Sequence, residues 1–252
     1  GVPAKVIGSS KKFLKGVEKE SISVVIPAFN EAKNIEKVVR DAKLALKNLK
    51  INWEIVLVDD GSTDGTGKIA DQLSRKDKHV RVVHHQQNKG FTGAMKTAFA
   101  SALNHLVFLA PGDGQFDFRE LPKFTEAIRG YDASVGFRIK NEEGVVRKIE
   151  SRIFHFLCKV LLNIHFKEIS TVSMWRRPVL QSIEIESDDR SAMMLPELIH
   201  KTLKKKYKFS EVPISWHKRL GGKSKGVHLH PEALIKTTLT LFKLWYKISF
   251  KV

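Results

Sequence analysis

Three stretches of the 252-residue chain place carboxylates where apolar runs end. Residues 22–27 (ISVVIP) lead into Ala28-Phe29-Asn30-Glu31. Residues 54–58 (EIVLV) lead into Asp59-Asp60, and residues 105–110 lead into Pro111-Gly112-Asp113-Gly114-Gln115. Carboxylates brought together repel unless a cation or hydrogen-bond donors lie between them. A divalent ion with oxygen ligands answers that need, and Mg²⁺ or Mn²⁺ suits a site that also holds phosphate oxygens. Asp60 and Asp113 each interrupt an apolar run and are read as functional. Asp64, within Gly61-Ser62-Thr63-Asp64-Gly65, is read as a helix cap in turn chemistry. No G-x-G-x-x-G follows the first run and no G-x-x-x-x-G-K-[ST] occurs, which argues against dinucleotide and P-loop sites. His84-His85, His200, and His228 with His230 lack the spacing of a zinc site and are read as surface or internally satisfied.

The elements that must position these residues alternate. Strands are expected at 22–27, 54–59, 80–84 and 105–110, with a short one at 133–136. Helices are expected at 32–47, where Ile35, Val38, Val39, Ala42 and Leu46 keep a helical period, after Asp64, at 91–102 and at 119–129. Four strand-then-helix units in about 110 residues predict a mostly parallel sheet with helices on both faces. Ligands of such sheets bind beyond the carboxyl ends of the strands, where the acidic residues stand.

Composition narrows the partners. The chain carries 44 Lys+Arg against 27 Asp+Glu, a formal net charge of +17, with 42% hydrophobic residues. That apolar share is ordinary for a folded protein and excludes a disordered one. The excess is local: residues 200–252 hold 13 basic and 2 acidic side chains, whereas residues 21–199 hold 26 and 23. A general nucleic-acid surface would spread over the fold, so no nucleic acid is expected. Phosphate or an acidic lipid surface met by the tail is favoured. A single cysteine, Cys158, excludes an internal disulfide framework and suits a reducing compartment. No uncharged apolar run reaches 18 residues, so no transmembrane span is expected, and the N-terminus lacks the apolar core of a secretory signal.

Taken together, residues 23–31 (SVVIPAFNE) and 56–66 (VLVDDGSTDGT) resemble glycosyltransferase family 2, which has a GT-A (Rossmann-like) fold. Asn88-Lys89-Gly90 before a small-residue helix fits as well, and Gly112-Asp113-Gly114-Gln115 sits where that family carries its Asp-x-Asp metal motif. Within the family, the likeness is strongest to the polyprenyl-phosphate glycosyltransferases of the dolichol-phosphate mannose synthase type. It rests on residues 135–138 (VGFR), 147–151 (RKIES), 211–214 (EVPI) and 219–225 (RLGGKSK). The resemblance implies an inverting, metal-dependent transfer of a hexose from a GDP- or UDP-sugar to a polyprenyl phosphate. Pro27, Ala28, Glu31, Val58 and Asp60 would hold the nucleoside. Asp113 and Gln115 would bind Mg²⁺ or Mn²⁺. Arg138, Arg147 and Ser151 would hold the acceptor phosphate, while Arg219 and Lys225, catalytic with Asp113, would grip the phosphates of the donor or acceptor.

Two departures from the family pattern stand out. Pro111 replaces the first carboxylate of the metal motif, and residues 167–172 (KEISTV) alter the family's Asp-x-x-Ser-Gly-Phe stretch. Transfer to a sugar or lipid hydroxyl stays open, with Glu197 or Asp188-Asp189 as general base. So does a nucleotide-sugar-binding protein without turnover.

Residues 1–20 are read as an extension, 21–226 as the catalytic domain with a closing loop at 221–226, and 227–252 as a basic amphipathic helix. In that last helix Lys236, Lys243 and Lys247 form one stripe, Leu234, Leu241, Trp245 and Ile248 gather away from it, and Trp245, Tyr246 and Phe250 cluster at its lysine-rich end, so a membrane surface is expected to meet it. An earlier helix carries Lys148, Arg152, His155, Lys159 and Asn163 on one side and Ile149, Ile153, Phe156, Val160 and Leu161 on the other. The protein is accordingly expected at the cytoplasmic side of the membrane, peripherally bound.

Overall fold

The computed structural model describes residues 20–139, 145–169, 172–217, 219 and 231–250, those at 145–148 and 231–234 by their backbone alone. Seven strands among them form one sheet in the order β3-β2-β1-β4-β6-β5-β7. β1 (Ser21–Ala28), β2 (Asn52–Asp59), β3 (Val80–His84) and β4 (Leu106–Leu109) run parallel. β6 (Ser173–Arg176) is antiparallel to β4 and to β5 (Ala133–Arg138), and β7 (Phe209–Ile214) lies parallel to β5.

The chain packs against both faces of this sheet because side chains alternate along each strand. Ile22, Val24 and Ile26 of β1, Ile55 and Leu57 of β2, and Leu106 and Phe108 of β4 join one cluster with α1 (Ile35–Leu49) and α4 (Leu121–Ala127). Val25, Val56, Val58, Val107 and Leu109 point the other way, onto α3 (Phe91–Ser101) and the start of α7 (Met194–Lys204). The parallel strands are buried on both sides, which is why they read as continuous apolar runs. A third cluster joins α5 (Val145–Leu162), α6 (Arg177–Gln181), α7 and α8 (Pro231–Ser249) to the far half of the sheet. α2 (Thr66–Lys76) completes the elements beside β3.

Up to β5 the expected order of strands and helices is the observed one, with two local differences, while β6, α6 and α7 were not expected. α1 begins three residues late: residues 31–34 form a tight turn in which Glu31 O accepts from the backbone N–H groups of Asn34 and Ile35. The helix expected at 119–129 opens with a 3₁₀ turn at Phe118–Glu120 and ends at Ala127.

The tail helix corrects a larger expectation. Leu241 and Leu244 are buried, and Trp245 and Ile248 pack partly buried beside them, so the apolar face expected to meet a membrane faces the protein. The Leu234 side chain lies outside the described residues. A second row, Ile235, Leu239, Phe242, Tyr246 and Phe250, is exposed. α5 is likewise apolar on two sides: Cys158 and Leu162 are buried, while Ile149, Ile153, Phe156 and Val160 are exposed. Burial pushes the Cys158 thiol up to about 12, so it is an unreactive core residue. No described helix is long and apolar enough to cross a membrane.

Candidate functional site

The strand order reverses at β1, which has β2 on one side and β4 on the other. Loops leaving β1 and β4 therefore diverge and open a crevice at their carboxyl ends. Gly112 lets the loop after β4 press on the end of β1: a Cβ there would stand 3.2 Å from Pro27 O and 3.3 Å from the Ala28 Cβ. Gly114 turns the loop with φ +77°, a conformation that side chains resist. Asp113 thereby faces the loop after β1.

Glu31, Asp113 and Arg219 meet there. The Arg219 guanidinium donates to Glu31 Oε1 in a short contact and lies 3.9 Å from Asp113 Oδ2. Asn34 donates to Glu31 Oε2 at 2.7 Å, and Thr66 Oγ1 accepts from Glu31 N at 2.7 Å. Burial raises Asp113 above the usual carboxylate range, opposed by the Gln115 N–H and by Arg219. Gln115 donates from its amide to His217 O at 3.0 Å, so its amide oxygen is the atom it could offer a metal. No group of three or more His, Cys, Asp or Glu able to hold a metal occurs among the described residues. One carboxylate and one amide oxygen fit a hard divalent ion that also takes oxygens from a bound diphosphate, and do not fit one caged by protein alone.

Asp60 is placed beside this crevice, its N–H donating to Ala28 O, but its carboxylate is only 3% exposed and works as a hub. Oδ1 accepts from His85 Nδ1 (2.6 Å) and Lys89 N (2.9 Å). Oδ2 accepts from Asn88 Nδ2 and Gly90 N, both at 3.0 Å. Four donors fill the four lone-pair positions of a carboxylate. The loop between β3 and α3 is thus moulded to the end of β2. Val58 is fully buried in the core between β1 and β3, so it supports the crevice from below and does not reach a nucleoside as expected.

Of the histidines, His84 and His85 are satisfied; His200 donates from Nδ1 to Leu162 O while its Nε2 is buried without a partner among the described residues, and His228 and His230 lie outside them. His85 also bonds Thr97 Oγ1, and His84 bridges Asp59 and Asp71. Partial burial opposes a charge on His84, but the two carboxylates outweigh it and raise its pKa. The N-cap of α2 is Gly65, not Asp64 as expected, and no side chain caps it; Asp64, one residue earlier, accepts from the Thr66 N–H on Oδ1 and from Ala32 N on Oδ2.

The acceptor-side candidates lie across β5. Arg138 is clamped by Glu168, which accepts from its backbone N–H (2.8 Å), its Nε (2.6 Å) and its Nη2 (2.5 Å). The same guanidinium lies over the Trp216 ring, 5.8 Å from its centre. Ser151 is tied to His155, whose Nδ1 lies 2.6 Å from Ser151 O and whose Nε2 accepts from Ile169 N. The Arg147 side chain, Lys225, the 221–226 loop and the 1–19 segment lie outside the described residues.

Glu197 is ruled out as a general base by its surroundings. It is fully buried and accepts from Glu186 N, Ser187 N, Ser187 Oγ and Lys201. Asp189 pairs with Lys96, and its backbone oxygen accepts from Gly93 N against α3. Glu168, Trp216, Asn34 and Asn88 were not singled out for these contacts from the sequence. The signals present were an aromatic residue just after β7 and a carboxylate where the family stretch departs.

The sequence model of "Glycosyl transferase family 2" matches residues 23–183. Glycosyltransferase AglD of Haloferax volcanii is 27% identical over 210 residues, covering 80% of this chain and 33% of the relative. Dodecaprenyl-phosphate galacturonate synthase of Rhizobium johnstonii is 28% identical over 174 residues, 67% of this chain and 52% of the relative. The chain thus spans about a third to a half of the length of these curated relatives. In structure it shares its fold with glucosyl-3-phosphoglycerate synthase of Mycobacterium tuberculosis, with a TM-score of 0.70 and 18% identity over 89% of this chain and 79% of that one. That protein has also been crystallised with Mn²⁺, UDP-glucose and phosphoglyceric acid.

Proposed function

The chain belongs to glycosyl transferase family 2, and from that premise we propose that it transfers a hexose from a GDP- or UDP-linked sugar to a polyprenyl phosphate, with inversion. A phosphate oxygen of the acceptor attacks the anomeric carbon while the bond from that carbon to the diphosphate breaks, releasing the nucleoside diphosphate. The acceptor oxygen is already ionised near neutral pH, so no general base is required. The task left to the protein is alignment and charge.

Arg219, with Lys225, takes up negative charge growing on the diphosphate. Arg138, Arg147 and Ser151 hold the acceptor phosphate in line. Asp113 and Gln115 would hold Mg²⁺ or Mn²⁺ against the diphosphate, and that ion supplies further charge neutralisation of the leaving group. The observation that carries this reading is the Glu31–Arg219–Asp113 cluster at the crevice, with Arg138 at the neighbouring strand end. The names of the curated relatives, a dodecaprenyl-phosphate galacturonate synthase among them, support the acceptor class.

We place the enzyme, again as a proposal, at the cytoplasmic side of a membrane as a peripheral protein, since its acceptor is a lipid. The exposed rows Ile149-Ile153-Phe156-Val160 and Ile235-Leu239-Phe242-Tyr246-Phe250, on helices that pack together, support contact with lipid. Lys243 lies exposed on the same helix as the second row, suiting an anionic surface.

A panel of GDP- and UDP-sugars with polyprenyl phosphate, with and without Mn²⁺, tests the function. Release of nucleoside diphosphate should require the prenyl phosphate, and Asp113→Ala should lower turnover by about 10²-fold or more. Equal turnover on a hydroxyl acceptor without phosphate would refute the reading. Nucleotide-sugar binding with no turnover on any acceptor would favour the binding protein instead.

A further inference from the structure

Residues 215–217 and 219 touch both sides of the crevice. Ser215 N donates to Glu120 Oε2 (2.9 Å), and Trp216 forms an isolated antiparallel bridge with Phe116. His217 N donates to Gln115 O (2.9 Å), and Arg219 reaches Glu31 and Asp113. The Trp216 side chain then extends to the other subsite and lies under the Arg138 guanidinium. Glu168 grips that same guanidinium along its Nε edge and also takes the Arg138 backbone N–H, next to where the pairing of β5 with β6 ends at Val135–Ser173. Arg138 and Glu168 are both largely buried, their side chains 15% and 14% exposed.

We infer that Trp216 and Glu168 are positioning residues for the acceptor phosphate, acting through Arg138. An arginine side chain loses several rotatable bonds of freedom when it holds a phosphate, and one already fixed by a carboxylate and an aromatic face loses less on binding. The ring and the carboxylate act in different ways. Glu168 fixes the guanidinium plane through its Nε edge. Trp216 sets the height of that plane relative to the donor loop, because its own backbone is paired to Phe116 on that loop. The acceptor phosphate is thereby registered against the diphosphate by one short stretch of chain. This inference rests on the proposed acceptor role of Arg138.

The donor side offers an internal control. Its links to this segment include the backbones of Trp216 and His217, the His217 side chain beside Asp117 and the Arg219 side chain. Truncating the Trp216 or Glu168 side chain leaves all of them intact.

The test is calorimetric titration of the full chain with farnesyl phosphate, with farnesol, and with UDP or GDP. Trp216→Ala and Glu168→Ala should each weaken farnesyl phosphate by about five- to ten-fold, the span a buried cation–π contact or a charged hydrogen bond supports. Nucleotide affinity should stay within about two-fold, a bound set by ordinary additivity of separated sites. Trp216→Phe should recover most of the loss, which a collapse of the fold would not allow. Unchanged farnesyl phosphate affinity in Trp216→Ala overturns the inference. So does tighter binding in Glu168→Ala, which would make Glu168 a competitor of the phosphate. A wild-type chain that binds farnesyl phosphate no better than farnesol overturns the acceptor reading itself, and the inference with it.

Discussion

Replacing Asp60 with Asn exchanges one oxygen for an NH₂ and should be among the most costly single substitutions in the crevice. The carboxylate accepts two backbone N–H groups, Lys89 on Oδ1 and Gly90 on Oδ2, besides His85 and Asn88. Asn88 can flip its amide and His85 can change tautomer, but the two backbone donors cannot adapt. Whichever way the new amide sits, its NH₂ faces one of them. A stranded buried N–H costs about 1–3 kcal/mol, and the remaining bonds lose their charge assistance at up to about 1 kcal/mol each. The expected loss is therefore about 3 kcal/mol. Urea unfolding of the full chain reads it as a fall in midpoint of about 1 M, for a slope of about 3 kcal/mol/M. The nucleotide should also bind more weakly, because Ala28 and the 88–90 loop are held by the same residue. A midpoint within about 0.3 M of wild type, about 1 kcal/mol on that slope, would refute the hub.

Other outcomes follow from the same geometry. The raised pKa of His84 contributes stability that is complete below its ordinary value of 6.5 and is lost as pH rises through the higher folded value. Thermal stability should fall over that window in the wild type, and the fall should shrink in His84→Gln. Leu241→Ala should cost about 2–4 kcal/mol, since Leu241 is fully buried. Phe242→Glu with Tyr246→Glu should leave stability within about 0.5 kcal/mol while reducing co-sedimentation with anionic vesicles. The opposite pattern would restore the tail-helix face expected from the sequence. Glu197→Gln should destabilise by about 3 kcal/mol or more, because Lys201 loses a buried partner. The folded fraction should keep its turnover, and a specific loss of kcat at unchanged stability would revive Glu197 as a base.

The order of strands and helices up to β5 was legible because it is written in local pattern. β-branched runs buried on both faces, a 3.6-residue apolar period in α1 and the Gly-Asp turn before α2 each act within about ten residues. The carboxylates at the strand ends could be read for the same reason: Asp59-Asp60 and Asp113 stand where their apolar runs stop. The two faces of α8 could not be told apart, since both are apolar. Packing against α5 and the neighbouring core decided that Leu241 and Leu244 turn inward and Phe242 and Tyr246 outward.

What the sequence by itself determined was the parallel half of the sheet, β1 to β4, and the set of side chains delivered to its edge, because strand periodicity and turn chemistry need no distant partner. Only the tertiary structure decided what those side chains do to one another. Asp60 meets His85 from 25 residues away, Arg138 meets Glu168 from 30, and Glu31 meets Arg219 from 188. A carboxylate is a ligand, a hub or a clamp according to the donors that reach it. Those donors arrive from strands and loops that become neighbours only when the sheet has formed.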